Sequence, residues 1–177
     1  DGRPTFLSLD EITRLVRGIA AVGMRKIRLT GGEPSLRKDL PSIIAAVSAT
    51  PGVQKIALTT NGCLLPRHVG IWRDAGLTAL NVSLDSLNPA RFKTITGHDL
   101  AEVTEGVEMA LGLGFAAVKL NAVLLRGLND DELPAWYDYL RERNIAIRFI
   151  ELMRTGDNQA YFERHHYRAE ALEQQLV

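Results

Sequence analysis

Residues 26–37 read "KIRLTGGEPSLR", and how this stretch divides decides the fold. Lys26, Ile27, Arg28 and Leu29 alternate polar and apolar, the period of a strand with one face toward a core and the other away from it. The glycines that follow turn the chain at the strand's C-terminal end, where parallel α/β folds bind their ligands. Glycine-rich turns in that place usually cradle phosphate through backbone N–H groups, helped by a lysine and a hydroxyl. Here the turn carries Glu33 instead. A carboxylate repels phosphate and favours a cation such as an ammonium, which the backbone of Gly31 and Gly32 can approach closely and meet with carbonyl oxygens.

Outward from this turn, apolar and β-branched runs at about 27–30, 56–60, 80–84, 118–124 and 147–150 alternate with stretches of helical period, which predicts an α/β fold with a parallel sheet. Ser8 with Glu11, Asp99 with Glu102 and Asn129 with Glu132 fit the capping box that opens a helix, and Gly23, Gly76 and Gly114 stand where helices should close. About five strands are too few for a closed eight-stranded barrel, so the expectation is a partial (β/α) barrel. Because a helix comes first, the first strand of a strand-first repeat is expected to be missing and to lie upstream of Asp1. Residues 1–153 are expected to form the barrel core and residues 154–177 the start of a C-terminal extension.

Splitting each strand by parity gives one aliphatic face, with Ile27, Leu58, Leu80, Val82 and Leu120, and one polar face. The polar face carries Lys26/Arg28/Thr30, Lys55/Thr59/Asn61, Asn81/Ser83/Asp85 and Lys119/Asn121. Leaving these groups without partners would cost several kcal/mol each, roughly, which points to a ligand and water on that side. Lys26, Arg28 and Lys119 suit a polyanion such as a nucleotide triphosphate, and are expected to converge on one site at the C-terminal ends of the strands. For Arg148 the parity stays open, since Phe149 and Glu151 compete for the inside. The balance of 21 basic and 21 acidic residues leaves no overall charge to draw nucleic acid or a membrane surface, and no apolar run reaches the length of a membrane span, so a cytoplasmic protein is expected. With a single cysteine, Cys63, the chain cannot by itself hold a zinc ion or an iron–sulfur cluster, and no metal site is expected in it.

Together, "KIRLTGGEPSLRKDL", "IALTTNG", "LNVSLDSL", "VKLNAVLLRGLNDDE" and "IRFIELMRTGDN" make the sequence similar to the molybdenum cofactor biosynthesis protein A family, the GTP 3′,8-cyclases of the radical S-adenosylmethionine (SAM) superfamily. The resemblance implies a lyase that converts GTP to 3′,8-cyclo-7,8-dihydro-GTP in the first step of molybdopterin biosynthesis. It uses S-adenosylmethionine and 4Fe–4S clusters whose cysteine ligands are not in this chain, so the chain alone is expected to be inactive. It assigns Gly32, Ser83 and Met153 to S-adenosylmethionine, with Gly31, Glu33 and Asn121 beside them, and Lys26, Arg28, Thr59, Lys119 and Arg148 to GTP. It assigns no side chain as a classical acid or base. An electron donor and the next enzyme of the pathway are the implied partners, and a homodimer is compatible with it. Two other readings share the motifs: a peptide-modifying radical enzyme, and a nucleotide-binding module that catalyses nothing.

Overall fold

The computed structural model describes residues 6–174. It contains a five-stranded, wholly parallel sheet whose strands β1 (Lys26–Leu29), β2 (Lys55–Thr60), β3 (Ala79–Ser83), β4 (Ala117–Leu124) and β5 (Ala146–Glu151) lie side by side in chain order. Right-handed crossovers that always step in one direction place the connecting helices on one face of a sheet. The opposite face is left free of helices, as in an arc of a barrel, and the expectation of a partial (β/α) barrel holds.

The helices are α1 (Leu9–Ala21), α2 (Leu40–Ser48), α3 (Leu65–Asp74), α4 (Pro89–Thr96), α5 (Leu100–Gly112), α6 (Leu133–Arg141), α7 (Gln159–His165) and α8 (Ala169–Glu173). Ser8 and Glu11 form the expected capping box at α1, with the Ser8 N–H donating to Glu11 Oε2 at 2.8 Å. Asp99 caps α5 through the N–H of Ala101 rather than through a reciprocal box with Glu102. Gly23, Gly76 and Gly114 follow the ends of α1, α3 and α5 in left-handed conformations, as their positions predict.

The third capping box is absent, and this corrects the sequence reading. Helix α6 begins at Leu133, with Pro134 in its first turn, and Asn129 and Glu132 turn inward, 4% and 7% exposed. Asn129 accepts from the N–H of Leu125 and donates to the carbonyls of Asp85 and Val123, and Glu132 accepts from the Ser86 hydroxyl and the Leu87 N–H. Together they join the loops that follow β3 and β4.

The core lies between sheet and helices. Ile56, Leu58, Leu80, Val82, Val118 and Leu120 present the aliphatic face that the alternation predicts, covered by Ile44, Val47, Val69, Trp72, Phe92, Val103 and Val107 from the helices. Trp72 and Trp136 are packing residues, each 2% exposed. Phe149 meets the Trp136 ring edge-on at 6.2 Å, which puts it under α6 and fixes the parity of β5. Beyond β5 the chain folds back: the Arg126 N–H donates to the His165 carbonyl, and Glu151 accepts from the Ala169 N–H. Among the described residues no helix is long and apolar enough to cross a membrane.

Candidate functional site

Strand register sorts the polar face into layers, because residues paired across a parallel sheet share a face. Lys26 pairs with Lys55 at the N-terminal end. Arg28 lies in the next layer with Ala57, Ala79 and Ala117. Above these come Thr59, Asn81, Lys119 and Ala146, and then Ser83, Asn121 and Arg148. The three cations expected to converge therefore share one face, and none is on the helix-covered side. They do not sit together at the C-terminal rim, however. Lys26, Arg28 and Lys119 occupy successive layers, each about 7 Å apart at two residues of roughly 3.3 Å rise. Arg148, unplaced by the sequence, falls in the layer of Ser83 and Asn121. Met153 lies beyond β5 and is 73% exposed, with its carbonyl accepting from Asn158 Nδ2.

At the rim, Glu33 accepts hydrogen bonds from the Ser35 N–H at 3.0 Å, the Thr60 hydroxyl at 2.7 Å and the Asn61 N–H at 2.7 Å. The two strand ends are thereby joined, and the Gly31–Gly32 turn is held level with Asn61. A Cβ built on Gly31 or Gly32 meets no atom within 4 Å, so nothing in the described protein fills the space in front of this turn. Gly62 shows the opposite constraint. Its φ is 83° and a Cβ there would sit 2.8 Å from both Val82 and Val103, so the turn after β2 tolerates only glycine.

Charge is segregated along the face. Among the described residues, none of Lys26, Arg28, Lys55, Lys119 and Arg148 has a carboxylate ion-pair partner, and Glu33 has no cation. The Oδ1 atom of Asn121 is sealed from solvent without a hydrogen bond. Burial pushes the Asp85 carboxyl up, only partly offset by a 2.8 Å hydrogen bond from the Val123 N–H. The half-buried Cys63 thiol is pushed up by burial and then by the charges of Glu102 and Glu33, which keeps it neutral and inert. A groove of about 910 Å³ between α5 and α6, lined by Leu100, Thr104, Glu108, Tyr139 and Arg143, belongs to the helical side and not to this face.

Residues 1–140 match the model of the radical SAM superfamily. The chain belongs to that superfamily. A protein of Stenotrophomonas maltophilia (strain R551-3) named GTP 3′,8-cyclase is 67% identical, over 100% of this chain and 55% of its own length. One of the same name from Aeromonas hydrophila subsp. hydrophila is 55% identical, over 99% of this chain and 52% of its own. The chain thus spans about half the length of the curated relatives it matches. Among solved structures, Streptococcus suis SuiB bound to S-adenosylmethionine is similar with a TM-score of 0.78 at 16% identity, over 99% of this chain and 40% of that one. A radical SAM methyltransferase from Sphaerobacter thermophilus gives 0.73 at 18% identity, over 98% and 55%. At these identities the likeness is one of fold.

The superfamily implies S-adenosylmethionine and a 4Fe–4S cluster. The rim fits the first: open space before Gly31 and Gly32, a carboxylate without a cation, and the orphaned Asn121 oxygen are what an ammonium-bearing polar ligand would use. The chain does not fit the second. It has one cysteine, and among the described residues no group of three or more His, Cys, Asp or Glu could hold a metal ion.

Proposed function

We propose that this chain is the ligand-binding partial barrel of a GTP 3′,8-cyclase. In this reading S-adenosylmethionine lies at the C-terminal rim and GTP along the open face, its triphosphate toward the lower layers. The observation that carries the proposal is the segregation of charge on one face: a carboxylate without a cation at the rim, and cations without carboxylates below it. A ligand pair of matching polarity, cationic above and polyanionic below, relieves both. The names of the Stenotrophomonas and Aeromonas relatives support the choice of GTP.

Bound S-adenosylmethionine supplies the radical chemistry of the superfamily, while the residues of this chain bind, orient and shield. Carbonyls of Gly31 and Gly32 accept from the methionyl ammonium in the field of Glu33, and Ser83, Asn121 and Met153 complete that side. Arg28 and Lys119 hold phosphate oxygens, with Lys26 below and Thr59 donating its hydroxyl, and Arg148 stands at the boundary between the two ligands. Fixing C3′ of the ribose against the cofactor while excluding water is the main service such a face performs. No side chain acts as acid or base. We place the protein in the cytoplasm, with an electron donor and the enzyme that consumes the cyclised nucleotide as partners.

Calorimetry on the full-length protein tests the reading with two crossed variants. Lys119→Ala is expected to weaken GTP binding by about 1–3 kcal/mol and leave S-adenosylmethionine unaffected, since it removes one charge-assisted contact. Gly32→Val should do the reverse by filling the open space before the turn. Equal losses of both ligands in both variants, or no loss in either, would overturn it. Anaerobic reconstitution of the chain as given should yield no stable 4Fe–4S absorbance, because one thiol cannot ligate the cluster.

A further inference from the structure

We infer that Asn81 is a further substrate-binding residue, gripping a ribose hydroxyl of the nucleotide; the inference rests on the GTP reading above. Asn81 stands on the middle strand of the sheet, in register with Thr59 on one side and Lys119 on the other. It is 4% exposed, and no described residue hydrogen-bonds its side-chain amide. An amide with no protein partner on an otherwise buried residue, its polar atoms not sealed, faces the small opening that the polar face leaves, where a ligand or water can meet it. Its neighbours on the same face are consistent with a ligand there. Asn121, diagonally one layer up, has a sealed oxygen without a hydrogen bond, and the layer below is floored by Ala57, Ala79 and Ala117, whose short side chains leave room above the sheet.

The chemistry of the amide selects what it would hold. Asn offers an acceptor oxygen and two N–H donors, so a group that both donates and accepts satisfies it best. A phosphate accepts only and would leave Oδ1 unpaired, and Lys26 and Arg28 below with Lys119 alongside already serve that role. An ammonium donates only. A hydroxyl does both. Position agrees with chemistry, because Asn81 lies one layer below the rim, where the cofactor is placed, and one layer above Arg28, beside Lys119 at the upper edge of the triphosphate site. The part of a nucleotide that lies between its phosphates and a cofactor reacting at C3′ is the ribose.

The test is a cycle of ligand against variant in the full-length protein, measuring affinity for GTP, 2′-deoxyGTP and 3′-deoxyGTP. The wild type is expected to prefer GTP over one of the deoxy analogues by roughly tenfold, since losing one partner leaves a buried group unpaired. In Asn81→Ala, GTP affinity should fall by a similar factor and the preference should shrink to within about twofold. Asn81→Ser, which keeps polarity but not reach, should behave in the same way, and retained S-adenosylmethionine affinity shows that either variant is folded. Persistence of the wild-type preference in both variants, or GTP affinity unchanged in both, would overturn the inference. A wild type that binds S-adenosylmethionine but not GTP would instead remove the nucleotide reading, and the role of Asn81 with it.

Discussion

Glu33 and Glu132 stitch the C-terminal rim of the sheet at two places with the same pair of bonds. Glu33 accepts from the Thr60 hydroxyl and from the N–H of the next residue, Asn61; Glu132 accepts from the Ser86 hydroxyl and from the N–H of the next residue, Leu87. Each carboxylate thus ties the loop after one strand to the loop after its neighbour. The difference lies in the counter-charge. Arg91 donates to Glu132 at 3.2 Å and pairs with Asp131 as well, whereas the remaining donor to Glu33 is the Ser35 N–H of its own turn. One stitch has a cation of the protein against it. The other leaves a negative charge beside two glycines that face open space. The two carboxylates have the same hydrogen-bond geometry; what separates them is the presence or absence of a cation.

The largest effect expected from breaking this symmetry is on stability, at Glu132. Glu132→Ala leaves the buried Ser86 hydroxyl and the half-buried Leu87 N–H without their acceptor, besides one arm of the partly exposed Arg91, and should cost about 2–4 kcal/mol. Urea denaturation should show a lower midpoint with an unchanged slope. A loss below about 1 kcal/mol would mean that the two loops hold each other without the carboxylate. Next in size is the effect of Glu33→Gln on the cofactor. The amide can still accept from Thr60 but cannot accept from the Asn61 N–H through its NH₂ group, so stability should fall by only about 1–2 kcal/mol. S-adenosylmethionine affinity in the full-length protein should fall at least about tenfold, because the counter-charge is gone. Retention of wild-type affinity would make the two stitches equivalent after all.

What the sequence made legible follows from how local each signal is. The aliphatic face showed through because successive side chains on a strand point to opposite faces, so its large apolar residues recur with a period of two. Arg28, Thr59, Ser83 and Lys119 emerged on the other face by the same rule. Strand β5 resisted because it is an edge whose Arg148, Phe149 and Ile150 are all partly exposed or exposed; only its pairing with β4 and the packing of Trp136 on Phe149 decide its parity. Two of the three donors to Glu33 come from residues 27 and 28 positions away, so no local pattern announces them. Asn129 and Glu132 were misread for a different reason. They satisfy the capping-box spacing, yet Pro134 marks a helix that begins one residue after Glu132, since proline is favoured in a first turn where its missing N–H is no loss. Giving that proline more weight than the box would have released both side chains for the latch they form.

Asp85 sharpens the comparison at the smallest scale, as a carboxylate near the same rim with one backbone hydrogen bond and no cation among the described residues. Burial raises its folded-state pKa above the unfolded value, so the ionised form destabilises the fold, in contrast to a carboxylate held by a cation. Its protonated form stabilises the fold fully below the ordinary aspartate range, and that contribution is lost as pH rises through the raised value. Asp85→Asn keeps an oxygen that can accept from Val123 and removes the charge. The variant should therefore be more stable than the wild type at neutral pH, and the advantage should shrink as pH falls and vanish below the ordinary aspartate range, where both side chains are neutral. Chemical denaturation at neutral and acid pH measures the difference directly. A variant that is less stable at neutral pH would show that Val123 needs the charged acceptor, and would move Asp85 from the uncompensated class of Glu33 to the structural class of Glu132.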